Sequence, residues 1–315
     1  MTTTTSVPSW VSSTGINLRQ AEYFIYELFK NNPLQRPKPA TVSEAILIVN
    51  QAIDDMYEFD DQKRVKAKEL VDNASTYLLP LDEFDWLKVD ERCNYWAWIY
   101  IAIDQSFSLQ VPGLYPVPQF AKFYNAYGLN PMPTNSKERY TEIVRFFDMG
   151  NWANEIQRQQ LATMKQVWQS IFIAPKPLRW LSPKDEEQCI WAWSYFTSYF
   201  QNSNTTSSPP ILGVFPQNAK ERYLALCASF DAWYASAESK KLFLININKA
   251  WHQKKHRDNM KGKKACSFVL HNDVKSQLDE LASARRMKKN EYVESLIKDA
   301  YKKLTSPSSG GENGD

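Results

Sequence analysis

Apolar residues recur along most of this chain at the spacing of one helix face. Tyr140, Ile143, Val144 and Phe147 sit at i, i+3, i+4 and i+7, which predicts a helix buried along one side. Clusters of Pro, Asn and Ser, as at 202–210, punctuate such stretches. The pattern also repeats. Lys137-Glu138-Arg139-Tyr140 returns 83 residues later as Lys220-Glu221-Arg222-Tyr223, Phe147-Asp148 as Phe230-Asp231, Leu161 as Leu244 and Trp168 as Trp251. Upstream, Asp90-Glu91 and Trp96-Ala97-Trp98 match Asp185-Glu186 and Trp191-Ala192-Trp193. A Pro-rich loop in each copy ends in Pro118-Gln119 or Pro216-Gln217. From there the lysine of the repeated motif lies 18 residues on in one copy (119 to 137) and 3 in the other (217 to 220). The first copy therefore carries an insertion, expected as a surface stretch at 120–134.

These marks predict a mainly α chain whose body is a tandem helical repeat. Trp86-Leu87 and Trp180-Leu181 open units at 86–179 and 180–253. A degraded unit occupies 17–85, where Tyr23 and Phe24 begin an aromatic run, and the Thr/Ser-rich residues 1–16 are expected to lack order. Units of this kind bury their faces against one another. The Trp and Tyr stripes are expected to be core rather than a stacking surface. The duplicated Lys-Glu-Arg is expected to form exposed ion pairs along its helix. Asp90-Glu91 and Asp185-Glu186 read as partners of helix N-terminal dipoles.

From Ala265 the period changes. Ala265-Cys266-Ser267-Phe268-Val269-Leu270 alternates as a short strand, with Cys266, Phe268 and Leu270 on one face and Ala265, Ser267 and Val269 on the other. Asn272 and Asp273 start a helix with Val274, Leu278, Leu281 and Ala282 on its apolar side. The basic turn Arg285-Arg286-Met287-Lys288-Lys289 follows. Asn290 is the expected N-cap of a second helix striped by Val293, Leu296, Ile297, Ala300, Tyr301 and Leu304. This module is expected at 254–304, with a disordered tail at 305–315. One strand and two helices in so short a span cannot close a core, and a lone strand leaves its backbone groups unpaired. Both defects vanish if two copies share their strands, so a homodimer is expected.

Composition narrows the function. The chain has 315 residues, 43% hydrophobic and 14% aromatic, enough for a sizeable core. None of the nine glycines lies in a phosphate-cradling pattern, which removes the common nucleotide-binding loops. The longest apolar run, Tyr95–Ile103, is too short for a membrane span and no secretory start is visible, so a cytoplasmic protein is expected. Cys93, Cys189, Cys227 and Cys266 are far apart and read as reduced, buried thiols. The net charge of +3 conceals a gradient: Lys249–Leu304 holds 15 Lys and Arg against 7 Asp and Glu. Such a concentration suits a polyanion. Its basic lead-in contains Lys254, Lys255, Arg257, Lys261, Lys263 and Lys264. His252 and His256, four apart, lack a third metal ligand and belong to that basic face. No nucleophile–base pair or metal-site motif is present, so no enzyme, cofactor or metal is expected.

The order strand–helix–helix with a basic turn resembles the ribbon-helix-helix superfamily of Arc and MetJ. Within it the pattern Leu278-x-x-Leu281-Ala282-x-x-Arg285, then Glu291, then Leu296-Ile297-x-Asp299-Ala300 is most similar to the macrodomain Ter organiser (MatP) family. The resemblance covers Lys249–Lys303 and leaves the repeat body unmatched. It implies a bacterial, nucleoid-associated dimer that binds double-stranded DNA, acting in transcription regulation or in chromosome or plasmid organisation. It implies that Ala265, Ser267 and Val269 face the bases. It implies further that Lys288, Lys289 and Asn290, at the start of the second helix, meet phosphate, joined by Arg285, Arg286 and the basic lead-in. Two departures stand out. Arg286 occupies the position where that family usually has Gly, and the outward strand residues are small or apolar. A different expectation is an antitoxin or scaffold whose body holds a protein partner while the C-terminal module dimerises.

Overall fold

The computed structural model describes residues 9–32, 35–103, 122–150, 152–172, 178–201, 214–262, 264 and 266–305. The Pro-Gln loop end at 118–119, the punctuation at 202–210 and the tail at 306–315 lie outside them. The chain divides into two units, Met1–His252 and Gln253–Asp315. The first holds α1 (Leu18–Phe29), α2 (Val42–Met56), α3 (Asp60–Tyr77), a 3₁₀ helix (Leu81–Lys88), α4 (Glu91–Ile103), α5 (Lys122–Ala126), α6 (Ser136–Met149), α7 (Asn154–Phe172), α8 (Glu186–Gln201), α9 (Ala219–Ala232) and most of α10 (Ala237–Asn259). The chain is mainly helical, and no strand forms among the described residues.

Three helices follow one another three times in the same register. The middle helices α2, α6 and α9 are N-capped by Thr41, Asn135 and Asn218. Each cap side chain accepts the N–H of a glutamate three residues on: Glu44, Glu138 or Glu221. A short polar side chain there satisfies a donor that the first helical turn leaves open. The trailing helices α3, α7 and α10 begin at Asp60, Asn154 and Ala237, at the same intervals of 94 and 83 residues as the caps. Their fully buried Leu70, Met164 and Ile247 keep that spacing. The leading helices α1, α4 and α8 start from Asn17, Asp90 and Asp185. Those side chains accept the N–H groups of Gln20, Arg92 and Gln188.

Between units, a leading helix meets the middle helix of the unit that follows, and each joint is sealed by a forked ion pair. Arg19 of α1 donates to both carboxylate oxygens of Asp148 in α6 at 2.8 and 2.5 Å. Arg92 of α4 does the same to Asp231 of α9 at 2.7 Å each. Burial pushes both aspartates above the ordinary carboxylate range, against the pull of their arginines. Arg139 corrects the expected role of the repeated Lys-Glu-Arg. Its side chain is fully buried, donates to Glu221 at 2.7 and 3.0 Å and lies 3.9 Å from the Tyr95 ring centroid. It binds one unit to the next, because the joint removes it from water and a charge there needs a partner.

Two further expectations change. The stretch at 120–134 is no surface excursion where it is described. It forms α5, and Tyr124 is fully buried with its hydroxyl donating to the Trp98 carbonyl at 3.1 Å; Tyr127 and Leu129 are buried too. Tyr124, Tyr127 and Leu129 supply an apolar face that fills the space beside α4 and α6. The N-terminal stretch is held from residue 9 on. Val11 is buried and exchanges two hydrogen bonds with Asn50, at 2.8 and 3.1 Å, and the Trp10 indole donates to Asp54 at 2.8 Å. The aromatic stripes are core: Trp96, Phe146, Phe147 and Phe196 are fully buried. At the last unit Trp180 stacks on Trp251 with ring centroids 5.1 Å apart.

Candidate nucleic-acid interface

The C-terminal unit contains the end of α10, a turn through Gly262, an extended segment, α11 (Asn272–Ala284) and α12 (Lys289–Thr305). Its cationic residues begin on α10. Lys255 and Arg257 are exposed there with His252 and His256, while Lys254 pairs with Asp258 one turn on at 2.6 Å. Lys261 and Lys264 follow, both exposed. Lys263 and Ala265 lie outside the described residues.

Residues 266–270 belong to no strand, which differs from the expected element. Ser267 and Val269 are exposed, as the base-facing reading requires, but so are Cys266, Phe268 and Leu270 on the opposite face. A strand exists only through its ladder, and one chain offers this segment no second strand. Cys266 therefore departs from the expected buried thiols. Cys93, Cys189 and Cys227 are reduced and buried, and burial raises the Cys189 thiol to about 11.

Backbone hydrogen bonds close the turn between α11 and α12. The Arg286 N–H donates to the Ser283 carbonyl at 3.0 Å and the Met287 N–H to the Ala282 carbonyl at 2.9 Å. That is a Schellman closure, and it places Arg286 in the left-handed region at φ 51°. Arg285 lies 5.4 Å from the ring of Tyr292, which is buried. Lys289 reaches Asp279 across the turn at 2.5 Å. Helix α12 begins at Lys289, so Asn290 is inside its first turn and not the N-cap. Lys288 holds the cap position, and its N–H donates to Glu291 at 3.4 Å. Arg285, Arg286, Lys288, Lys289 and Asn290 are all exposed around one tight turn. Sequence periodicity missed Tyr292, although it lies one helical turn before Leu296.

Few of the unit's apolar side chains are covered. Among the described residues from 253 on, only Ala282 and Tyr292 are buried. Phe268 is 67% exposed, Ile297 58%, Tyr301 66% and Leu304 81%, and Val274, Leu281 and Leu296 are exposed as well.

In the body, two clefts open at matching places in successive joints. The first, about 350 Å³, is bounded by Glu22 and Ile25 of α1 and by Arg36, Pro37, Glu142 and Arg145. The second, about 210 Å³, is bounded by Tyr95 and Trp98 of α4 and by Met132, Pro133, Phe215 and Pro216. Glu22 and Tyr95 stand five residues beyond their N-caps, and Ile25 and Trp98 eight. Charges in the first cleft are mutually engaged, with Arg145 bound to Glu22 and to Glu142. No group of three His, Cys, Asp or Glu side chains placed to hold a metal occurs among the described residues, and no helix there is long and apolar enough to cross a membrane. No protein-family model, curated protein or solved structure matches the chain.

Proposed function

We propose that the C-terminal unit is a ribbon-helix-helix module that pairs with its copy and binds double-stranded DNA, in transcription regulation or DNA organisation. The observation that carries this reading is the uncovered apolar surface of α11, α12 and residues 268–270 beside a net cationic charge. Exposed Val, Leu, Ile, Phe and Tyr side chains on so small a unit call for a partner surface. The most economical partner is a second copy, whose residues 266–270 would supply the missing strand and whose helices would cover α12. Pairing then doubles the cationic field. Ala265, Ser267 and Val269 would face the major groove. Val269, fully exposed, suits a thymine methyl, and Ser267 suits several base edges. The turn Arg285–Asn290 and the basic end of α10 would meet phosphate.

Two measurements on the full chain test the two halves of this reading. Changing Lys288 and Lys289 to Ala is expected to weaken binding to a DNA fragment about tenfold or more in gel-shift titration at low salt. Unaltered affinity counts against phosphate contact at this turn. Ile297→Glu places a charge on a side chain that is exposed in the single chain and covered in the pair. It is expected to leave helix content intact, to halve the mass by sedimentation and to abolish DNA binding. A variant that keeps the wild-type mass removes the pairing.

A second reading rests on the recurring clefts of the body. Repeat arrays present aligned clefts to extended partners, so the body would hold a protein while the module pairs, as an antitoxin or scaffold does. Stoichiometric co-purification of one protein, lost on changing Phe215 to Asp, would favour it.

A further inference from the structure

We propose that the cleft between α1 and α6 binds a single carboxylate carried on an apolar stem, with Arg36 as its anchor. Neither DNA binding nor the protein partner of the second reading is needed for this. The cleft measures about 350 Å³, in the lower part of the ~300–1,000 Å³ range of small-molecule sites. Three cations and two carboxylates line it: Arg36, Lys38 and Arg145 with Glu22 and Glu142. The carboxylates are already engaged. Arg145 donates to both oxygens of Glu22 and, at 3.2 Å, to one oxygen of Glu142. The other Glu142 oxygen accepts the Asn130 N–H at 3.0 Å. Arg36 stands outside this network. It donates to the Tyr127 carbonyl and, at 3.7 Å, to the Met149 sulfur, and it lies 5.3 Å from the Tyr26 ring centroid. These partners are neutral, and no carboxylate pairs with Arg36 among the described residues.

A half-buried guanidinium next to a second cation lacks an anion. Burial first, and the like charge of Arg145 after it, lower the Arg36 guanidinium from its ordinary value. Arginine stays protonated even so, and its planar fork matches a carboxylate. Two features narrow the ligand class. Glu22 and Glu142 leave the lining only one positive charge in excess, and at short range they repel a dianion such as a phosphate monoester. The remaining wall is apolar, from Ile25, Leu129 and Met149, and so suits a hydrocarbon stem. The site is also preformed. Pro37 and Pro39, whose rings fix φ, hold the exposed Lys38 between them. Gly128, at φ 62°, turns the chain between the Tyr127 carbonyl that fixes Arg36 and the apolar Leu129. The second cleft has the matching place in its own joint and no cation in its lining, so selection by charge belongs to the first cleft.

The test is calorimetric titration of the full chain at low salt with monocarboxylates from butyrate to decanoate and with hydrocinnamate, each set against its primary amide. Acids whose stem fits are expected to bind about tenfold or more tighter than their amides, as a charge-assisted fork does. Arg36→Gln is expected to remove that difference at native helix content. Lys38→Glu, at an exposed position that leaves the fold intact, is expected to weaken the acids about threefold or more and to leave the amides as they were. The peptide acetyl-Leu-Glu-Leu-amide and its Gln counterpart carry the same comparison to a side-chain carboxylate. Tighter binding of the Glu peptide than of any free acid makes an acidic residue of a peptide the source, and weaker binding makes it a small molecule. Absence of any acid-over-amide preference in the wild-type chain overturns the proposal. So does a preference that survives Arg36→Gln, or an acid affinity that Lys38→Glu does not change.

Discussion

Arg286 stands in a conformation that glycine adopts freely and other L-residues adopt at a cost of about 1–2 kcal/mol. Arg286→Gly is therefore expected to stabilise the α11–α12 turn by about 1 kcal/mol, seen as a higher urea midpoint. If the exposed guanidinium meets phosphate, the same variant binds DNA more weakly while being more stable, the usual signature of strain kept for function. Arg92 presents the opposite case. Arg92→Ala leaves the buried Asp231 carboxylate without its forked partner and is expected to cost about 3–5 kcal/mol, whereas Arg92→Met with Asp231→Leu recovers most of that in the same urea titration. Asp54 links the N-terminal stretch to pH. The Lys63 ammonium bonded to it, helped by the Trp10 indole, holds its carboxyl below the ordinary aspartate range. A depressed acid stabilises the folded form above its ordinary range, and that stabilisation is lost as pH falls through the lowered value. The protection of the Val11 amide, taken against its intrinsic exchange rate at each pH, is expected to fall on acidification, and Asp54→Asn is expected to flatten that dependence.

Among the elements, the interval between the middle and trailing helices is constant in all three units, while the stretch joining leading to middle helix varies and accommodates α5. This follows from packing. The middle-to-trailing turn fixes which buried residues meet, so its length is tied to Leu70, Met164 and Ile247, whereas the other connection is free to lengthen. The repeat was legible because its apolar stripes are local. The sequence reading did not name the caps Thr41, Asn135 and Asn218, although each lies three residues before its glutamate. The strand expected at 265–270 was read from alternation alone. Alternation describes faces, not a ladder, and the ladder needs a second strand. Arg286 was read as a departure from the glycine usual in the family this module resembles, and the turn after α11 places it in the left-handed region.

At the scale of the whole molecule, charge is separated along the chain. A body that is slightly acidic up to Lys249 precedes a segment with 15 basic and 7 acidic residues. The proposed binding to DNA predicts an affinity that weakens steeply with salt, with a log–log slope of about 0.9 per neutralised phosphate. A titration of affinity from low to moderate potassium chloride measures it. Changing Lys255, Arg257 and Lys261 to Ala is expected to lower the slope by up to about 5 for the pair, which carries each residue twice, if the end of α10 lies on the backbone. A slope that does not change puts those residues off the DNA.

The sequence by itself determined the mainly helical class, the repeat and the place of the cationic module, because apolar stripes and charge runs are written in residues a few positions apart. Only the tertiary structure decided what the charged residues of the body do. Arg92 and Asp231 are 139 residues apart and Arg19 and Asp148 are 129 apart, and no local window relates them. Arg139 reads as a surface residue from its helix and is buried because the following unit covers it. A solvated ion pair and a sealed joint have the same local pattern, and they differ only in what the rest of the chain places over them.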